Sequence, residues 1–141
     1  MNSTWENIDL FEQLVAEYAG SKYAVATDSC SNAIFLSLKY IQMKQSRGIV
    51  DVPKYTYPSV PMAVKHAGFE VNFVDTKWHG IYQLSPFAVH DGAVMFNRDM
   101  YAGGFHCLSF HIKKHIPIGR GGMILTDNKK AVEWLRCARY D

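Results

Sequence analysis

Two adjacent lysines, Lys113 and Lys114, lie between two short apolar runs and are followed by a glycine-rich turn at Gly119–Gly122. The runs that end at Phe110 and begin at Met123 predict two strands, so the lysines occupy a bend at the edge of a sheet. A lysine in such a place can act as an amine nucleophile, because desolvation and a neighbouring cation both favour the neutral amine. The pattern points to Schiff-base chemistry, although a single lysine is more often a solvated side chain in a basic loop.

The composition is that of a folded globular protein. The chain has 141 residues, of which 48% are hydrophobic and 20% are charged, and this suits one domain with a buried core. The formal net charge is only +2, and lysines and arginines do not alternate with aromatics, so nucleic acid is a poor partner whereas anionic small molecules fit. No apolar stretch has the length of a membrane span and the first residues lack a signal core, so we expect no membrane contact and a cytoplasmic location.

Neither the cysteines nor the histidines form a recognisable disulfide or metal pattern. Cys30, Cys107 and Cys137 are odd in number and widely separated, which favours reduced thiols. His111 and His115 are four residues apart, but they follow a predicted strand and lack the glutamate of a metalloprotease helix. We therefore expect no metal site.

Helical and extended patterns alternate along the chain. Helices are predicted at 9–18, 33–43, about 61–67 and about 129–139, and strands at 23–27, 49–52, 69–74 and 87–89 besides the two that flank the lysines. Strands that alternate with helices pair in parallel through right-handed crossovers. The pattern therefore predicts an α/β fold.

A second candidate site lies between the predicted strand 23–27 and the helix that follows it. The intervening residues Asp28–Asn32 are small and polar and can cap the helix. Hydroxyl-bearing residues that lead into a helix N-terminus can also bind phosphate, because free backbone N–H groups and the helix dipole face the anion. On this stretch alone, a simple cap is the preferred interpretation.

Two further features stand at the ends of predicted strands. Asp91 follows the apolar run 87–89, and ligands of open α/β sheets bind beyond the carboxyl ends of strands. Tyr55 and Tyr57 follow the strand 49–52, where the ordinary interpretation is two packing aromatics at strand spacing. Taken singly, neither feature identifies a ligand.

The segment Ser-Phe-x-x-x-Lys from Ser109 to Lys114, with the Gly-x-Gly-Gly turn at 119–122 and a short strand after it, resembles a motif of the DegT/DnrJ/EryC1/StrS sugar aminotransferases. In that family the lysine carries pyridoxal 5'-phosphate (PLP) as a Schiff base, and the spacing from Ser109 selects Lys114 rather than Lys113. The resemblance implies a three-layer αβα domain with a mostly parallel sheet, like the large domain of fold type I PLP transferases.

The resemblance extends along nearly the whole chain. Asp28–Asn32 is similar to the family's phosphate turn, 53–57 to its Pro-x-Tyr-Thr-aromatic segment, and 90–93 to its Glu-Asp-x-Ala segment. It implies phosphate contacts from the serines, a ring sandwiched between Tyr57 and Ala93, and Asp91 as the partner of the protonated ring nitrogen. The implied cofactor-binding residues are Ser29, Cys30, Ser31, Tyr57, Asp91, Ala93, Ser109 and Lys114, and Lys114 is also the implied catalytic residue.

The sequence departs from the family pattern at several places. His90 replaces a glutamate, Val94 replaces a glutamine or histidine that contacts the cofactor's phenolic oxygen, and Arg120 replaces a glutamate. One βα unit is missing between Asp75 and Asp91, and the family continues past the last helix into a C-terminal domain. We therefore expect residues 1–141 to form a single large domain that lacks one βα unit and the small domain.

The resemblance implies a PLP-dependent aminotransferase. Its substrates would be a nucleotide-linked keto-sugar, used in polysaccharide or glycoside biosynthesis, and an amino donor such as glutamate. A second subunit completes the active site in the family, so a homodimer or larger homo-oligomer is expected. The missing segments suggest an alternative, which is a catalytically inactive truncated homologue that serves as a structural or interaction module.

Overall fold

A computed structural model describes residues 4–45 and 47–139 of the chain. The elements are α1 (Thr4–Ala19), β1 (Tyr23–Thr27), α2 (Cys30–Gln42), β2 (Ile49–Pro53), α3 (Ser59–Ala67), β3 (Glu70–Val74), β4 (Tyr82–Gln83), β5 (Val89–Gly92), β6 (Phe105–Ser109), β7 (Gly122–Thr126) and α4 (Lys129–Ala138). Their order follows the sequence prediction, with β4 as an addition. α3 ends at Gly68, whose φ of 99° is the left-handed conformation that a glycine adopts without strain.

The strands form a five-stranded sheet in the order β1-β7-β6-β5-β4 and a two-stranded sheet of β2 and β3. The pairs β2–β3 and β5–β6 are parallel, whereas β1–β7, β6–β7 and β4–β5 are antiparallel. The α/β fold is confirmed, but the described strands pair in a more mixed way than the sequence predicted. The reason is local: β7 follows β6 through a turn without a crossover helix, and such a connection produces an antiparallel pair.

The two sheets meet beside the short strand β4. The amide of Asp51 in β2 donates to the carbonyl of Ser85 at 2.8 Å, and the amide of Leu84 donates to Val89 in β5 at 2.8 Å. Between Val74 and Val89 the chain contains β4 and no helix. This direct connection places β4 next to the end of β5, where the candidate site lies.

Helices cover both faces of the five-stranded sheet, which gives the three-layer αβα arrangement. On one face Ala16 and Ala19 of α1 pack against Met123 and Leu125 of β7, whereas Ile124 of the same strand faces α2 and α4 on the other. This division follows from the alternation of side chains along a strand. No helix in the described residues is both long enough and apolar enough to cross a membrane.

A buried acidic side chain ties the first helix to the last. Glu12 of α1 is 2% exposed and accepts from the amide of Ala26 at 2.8 Å and from Arg136 at 2.8 Å. Arg139 pairs with the same carboxylate. Because a buried carboxylate is tolerated only when it is fully paired, this cluster holds α1, β1 and the end of α4 together.

Candidate active site

The candidate site lies at one edge of the five-stranded sheet. The strands β1, β5 and β6 point in the same direction, since β1 and β6 are both antiparallel to β7 and β5 is parallel to β6. Their carboxyl ends carry Ser29, Asp91 and Ser109 respectively. Three of the residues singled out from the sequence are therefore placed at the same edge by strand direction alone.

The N-terminus of α2 provides an anion-binding group at this edge. Ser29 is its N-cap, with Oγ accepting from the amide of Asn32 at 3.1 Å and the carbonyl accepting from Ala33 at 3.0 Å. Within the described part of the chain the amides of Cys30 and Ser31 have no acceptor, as is usual in the first turn of a helix. Two free N–H groups at the positive end of a 13-residue helix are suited to phosphate.

The start of β7 packs directly against this helix N-terminus. A Cβ at Gly122 would lie 2.5 Å from the carbonyl oxygen of Ser29 and 2.6 Å from the amide nitrogen of Cys30. Gly122 also pairs with Thr27 in β1 and with Ser109 in β6. A glycine is therefore required here, because only the absence of a side chain lets the start of β7 approach the Ser29–Cys30 backbone.

Asp91 is 6% exposed and is surrounded by hydrogen-bond donors. Its Oδ1 accepts from the amide of Ala93 at 2.9 Å and from the thiol of Cys30 at 3.9 Å, and its Oδ2 accepts from the hydroxyl of Tyr82 at 2.6 Å. Burial, followed by the Asp91 charge, raises the pKa of both the Cys30 thiol and the Tyr82 phenol. Both groups therefore stay protonated at neutral pH and donate hydrogen bonds to the Asp91 side chain.

Lys114 lies in the turn between β6 and β7. Its amide donates to the carbonyl of His111 at 2.8 Å, and its side chain is partly buried, whereas Lys113 is exposed. The charge of Lys114 lowers the pKa of the Cys30 thiol, against the larger raising effects of burial and of Asp91. Of the two lysines, Lys114 is therefore the partly buried one and the one whose charge acts on the Cys30 thiol.

The remaining predicted residues are less closely held. The hydroxyl of Ser31 is 2.6 Å from that of Ser59 at the start of α3, and the hydroxyl of Ser109 accepts from His111 at 3.4 Å. Tyr57 is 73% exposed, and its loop is linked to Asp91 through Thr56 and Tyr82. Val94 is 42% exposed and has no polar group for a phenolic oxygen.

Two residues of this site were not singled out from the sequence. Thr56 stands between the two candidate tyrosines, so its position in that segment was an available signal. Tyr82 belongs to the two-residue strand β4 in the segment that departs from the family pattern, and no sequence feature distinguished it. Its role emerges only from its contact with Asp91.

The groups present at this edge fit PLP. The α2 N-terminus suits the phosphate, and Lys114 supplies an amine from the turn that follows β6. A carboxylate can accept about four hydrogen bonds, and Asp91 uses three within the chain, so capacity remains for a protonated ring nitrogen.

Comparison with known proteins agrees with this assignment. The model of the DegT/DnrJ/EryC1/StrS aminotransferase family matches residues 2–92. The uncharacterized protein MJ1066 of Methanocaldococcus jannaschii is 23% identical over 172 residues, and the spore coat polysaccharide biosynthesis protein SpsC of Bacillus subtilis is 22% identical over 173 residues. Each alignment covers 92% of this chain and 44% of the relative, so the chain spans less than half of the length of these proteins.

Solved structures share the fold. DesV of S. venezuelae superposes with a TM-score of 0.79 at 19% identity, covering 94% of this chain and 47% of DesV. The E. coli GDP-4-keto-6-deoxy-D-mannose-3-dehydratase with bound hydrated PLP superposes with a TM-score of 0.72 at 18% identity, covering 92% of this chain and 46% of that enzyme. At this level of identity the likeness establishes a common fold.

Proposed function

The chain belongs to the DegT/DnrJ/EryC1/StrS aminotransferase family, and from this premise we propose that it binds PLP and transfers an amino group to a nucleotide-linked keto-sugar. One observation carries the proposal: the α2 N-terminus, the buried Asp91 carboxylate and the partly buried Lys114 converge at one edge of the sheet. The substrate class is supported by the names of its relatives, which include a polysaccharide biosynthesis protein and a dehydratase of a GDP-linked keto-sugar.

When bound, PLP supplies an electron sink for chemistry at the carbon that carries the amine. Lys114 holds the cofactor through its amine and afterwards carries a proton as base and acid. The amides of Cys30 and Ser31, with the hydroxyls of Ser29, Ser31 and Ser109, hold the phosphate. Asp91 keeps a proton on the ring nitrogen.

The ring itself is held from both sides in this proposal. Tyr57 would hold one face of the ring and Ala93 the other. Val94 would offer the phenolic oxygen no side-chain hydrogen bond. Glutamate serves as the amino donor.

We further propose that residues 1–141 form one large-domain unit from which a βα unit is missing. The connection from Val74 to Val89 contains no helix. The alignment with MJ1066 also extends over 172 residues, which exceeds the 141 residues of this chain.

The three thiols are unpaired, in keeping with a cytoplasmic location.

A homodimer is part of the same proposal. Tyr55, Tyr57, Ile112 and Ile118 are all more than half exposed on the two loops that border the site, and pairing of subunits there would bury them. Sedimentation equilibrium at micromolar concentration measures the association. A stable monomer that binds no hydrophobic dye would contradict this part of the proposal.

The cofactor chemistry is tested optically with a matched pair of variants. Wild-type protein with added PLP is expected to develop an absorbance band that borohydride abolishes. Lys114→Ala should remove the reducible band, whereas Lys113→Ala should retain it because that side chain is exposed. Equal loss in the two variants would show that the lysine is wrongly assigned, and no band in the wild type would exclude covalent binding of PLP.

The alternative is a catalytically inactive homologue that acts as an interaction module. It is favoured by the missing partner for the phenolic oxygen at Val94 and by the shortened connection before β5. Glutamate separates the two functions. An active aminotransferase converts the cofactor band on addition of glutamate and returns it on addition of keto-sugar, whereas the inactive homologue leaves the band unchanged.

A further inference from the structure

Two hydroxyl groups form a chain that ends on the Asp91 carboxylate. Thr56 Oγ1 is 2.5 Å from Tyr82 Oη, and Tyr82 Oη is 2.6 Å from Asp91 Oδ2. Tyr82 is 7% exposed, so the phenol is shielded from water and has Thr56 and Asp91 as its partners. These two hydrogen bonds link the loop that carries Tyr57 to the Asp91 carboxylate in β5.

The direction of the hydrogen bonds follows from the number of protons available. A phenol has one proton and an ionised carboxylate has none, so Tyr82 donates to Asp91. The oxygen of Tyr82 can then only accept from Thr56, whose hydroxyl proton points inward. Such a directed chain in a buried place polarises its members and strengthens each bond.

The hydrogen bonds to Asp91 leave its carboxylate little freedom to rotate. Tyr82 holds Oδ2, while the amide of Ala93 and the thiol of Cys30 hold Oδ1. The bond from Tyr82 is the shortest of the three and the single one to Oδ2 among the described residues. Loss of this bond would therefore release one side of the carboxylate.

The segment that carries Tyr82 also supports the neighbouring loop. Trp78 donates through Nε1 to the carbonyl of Tyr55 at 2.9 Å, and the rings of Trp78 and Tyr82 are 4.7 Å apart. Trp78 and Tyr82 both belong to the short connection between β3 and β5. This connection thus fixes the loop at 54–57 and the carboxylate at once.

We propose that Tyr82, assisted by Thr56, is a positioning residue that holds Asp91 in one orientation for the ring N–H of PLP. The inference rests on the proposed function, since it concerns the same site. It predicts that Tyr82 matters for a ligand with a ring nitrogen and does not matter for the same ligand without one. A merely structural role of Tyr82 would affect both ligands equally.

The test measures dissociation constants of PLP and of 1-deaza-PLP, in which CH replaces the ring nitrogen. Tyr82→Phe keeps the ring and is expected to weaken PLP binding about tenfold, as for loss of one hydrogen bond to a charged group, with 1-deaza-PLP changed less than about twofold. Thr56→Val should show the same selectivity with a loss of about threefold, and Thr56→Ser should restore wild-type binding because the hydroxyl returns.

Tyr101→Phe is the matched control. It removes another tyrosine hydroxyl, which donates to Gly104 at 3.1 Å and accepts from the amide of Asp127 at 3.0 Å away from the Asp91 contacts. It should leave both dissociation constants unchanged. If Tyr82→Phe does not fold, Thr56→Val tests the same pair of hydrogen bonds at the Thr56 end.

Three results would overturn the inference in distinguishable ways. Equal weakening of both ligands by Tyr82→Phe would show that Tyr82 only supports the fold. No weakening of either ligand would show that the carboxylate is held without Tyr82. If the wild-type protein binds neither ligand, the proposed function itself fails, and the inference fails with it.

Discussion

The buried imidazole of His106 should make this protein unstable in mild acid. His106 lies in β6 and is 2% exposed, with ring centroids 4.4 Å from His90 and 5.1 Å from Tyr101. Neither ring nitrogen has a hydrogen-bond partner among the described residues. Burial, and then the neighbouring His90, lower the pKa of His106 from 6.5 to about 4. The native protein therefore holds this imidazole neutral under conditions in which the unfolded chain protonates it.

The sign of the effect follows from proton binding. Between pH 6.5 and pH 4 the unfolded state binds more protons at His106 than the folded state, so acid favours unfolding. The stabilisation is fully present above pH 6.5 and is lost as the pH falls toward 4. One pKa unit corresponds to about 1.4 kcal/mol, so the whole shift represents about 3 kcal/mol, of which about 2 kcal/mol is lost by pH 5. Burial lowers the pKa of His90 as well, and its effect has the same sign.

Urea unfolding followed by circular dichroism at pH 7.5 and pH 5 measures this contribution. Wild-type protein should lose about 2 kcal/mol more between the two pH values than His106→Phe, which has no group to protonate. His66→Gln is the matched control, because His66 is an exposed histidine on α3 and its replacement should keep the wild-type pH dependence. An equal pH dependence in wild type and His106→Phe would refute the reasoning, since the acid sensitivity would then arise from other groups.

Three further predictions concern the site and its support. Glu12→Gln should lower the free energy of unfolding by about 3–5 kcal/mol in a urea titration, because Arg136 and Arg139 lose their buried counter-charge; a loss below 1 kcal/mol would contradict this. Gly122→Ala should weaken PLP binding at least tenfold, because the new Cβ displaces the Ser29–Cys30 backbone, whereas Gly48→Ala, which makes ordinary contacts of 3.4 Å or more, should not. Asp91→Asn should slow the reaction with glutamate more than it weakens PLP binding in stopped-flow and equilibrium absorbance measurements, and the reverse order would contradict the assigned role.

Local patterns in the sequence were enough to predict most elements of the fold. The predicted strand 23–27 matches β1, and the predicted helix 129–139 matches α4 to within one residue. Apolar periodicity and helix-ending glycines depend on near neighbours, so they can be read without knowing the partners of an element. β4 was not predicted, because two residues are too few to form a periodic pattern.

The same local signals located the candidate site without describing its contacts. Motif spacing singled out Lys114, which is partly buried in the structure, whereas Lys113 is exposed. The roles of the eight candidate residues remain predictions. The spacing of the motifs did not predict the hydrogen bond from Tyr82 to Asp91, because tyrosines are common in strands and nothing in the sequence distinguishes this one.

Tertiary structure alone decided the contacts between distant parts of the chain. Cys30 meets Asp91 across 61 positions, and Thr56 meets Tyr82 across 26. The period of a strand tells which side chains share a face, but it does not tell which strand lies beside it. The order β1-β7-β6-β5-β4 sets those neighbours, and it depends on how all the apolar faces are buried together. For this reason Lys114 and the turn at Asp28–Asn32 could be selected from the sequence as candidates, whereas the hydroxyl chain behind Asp91 and the burial of His106 could not be predicted.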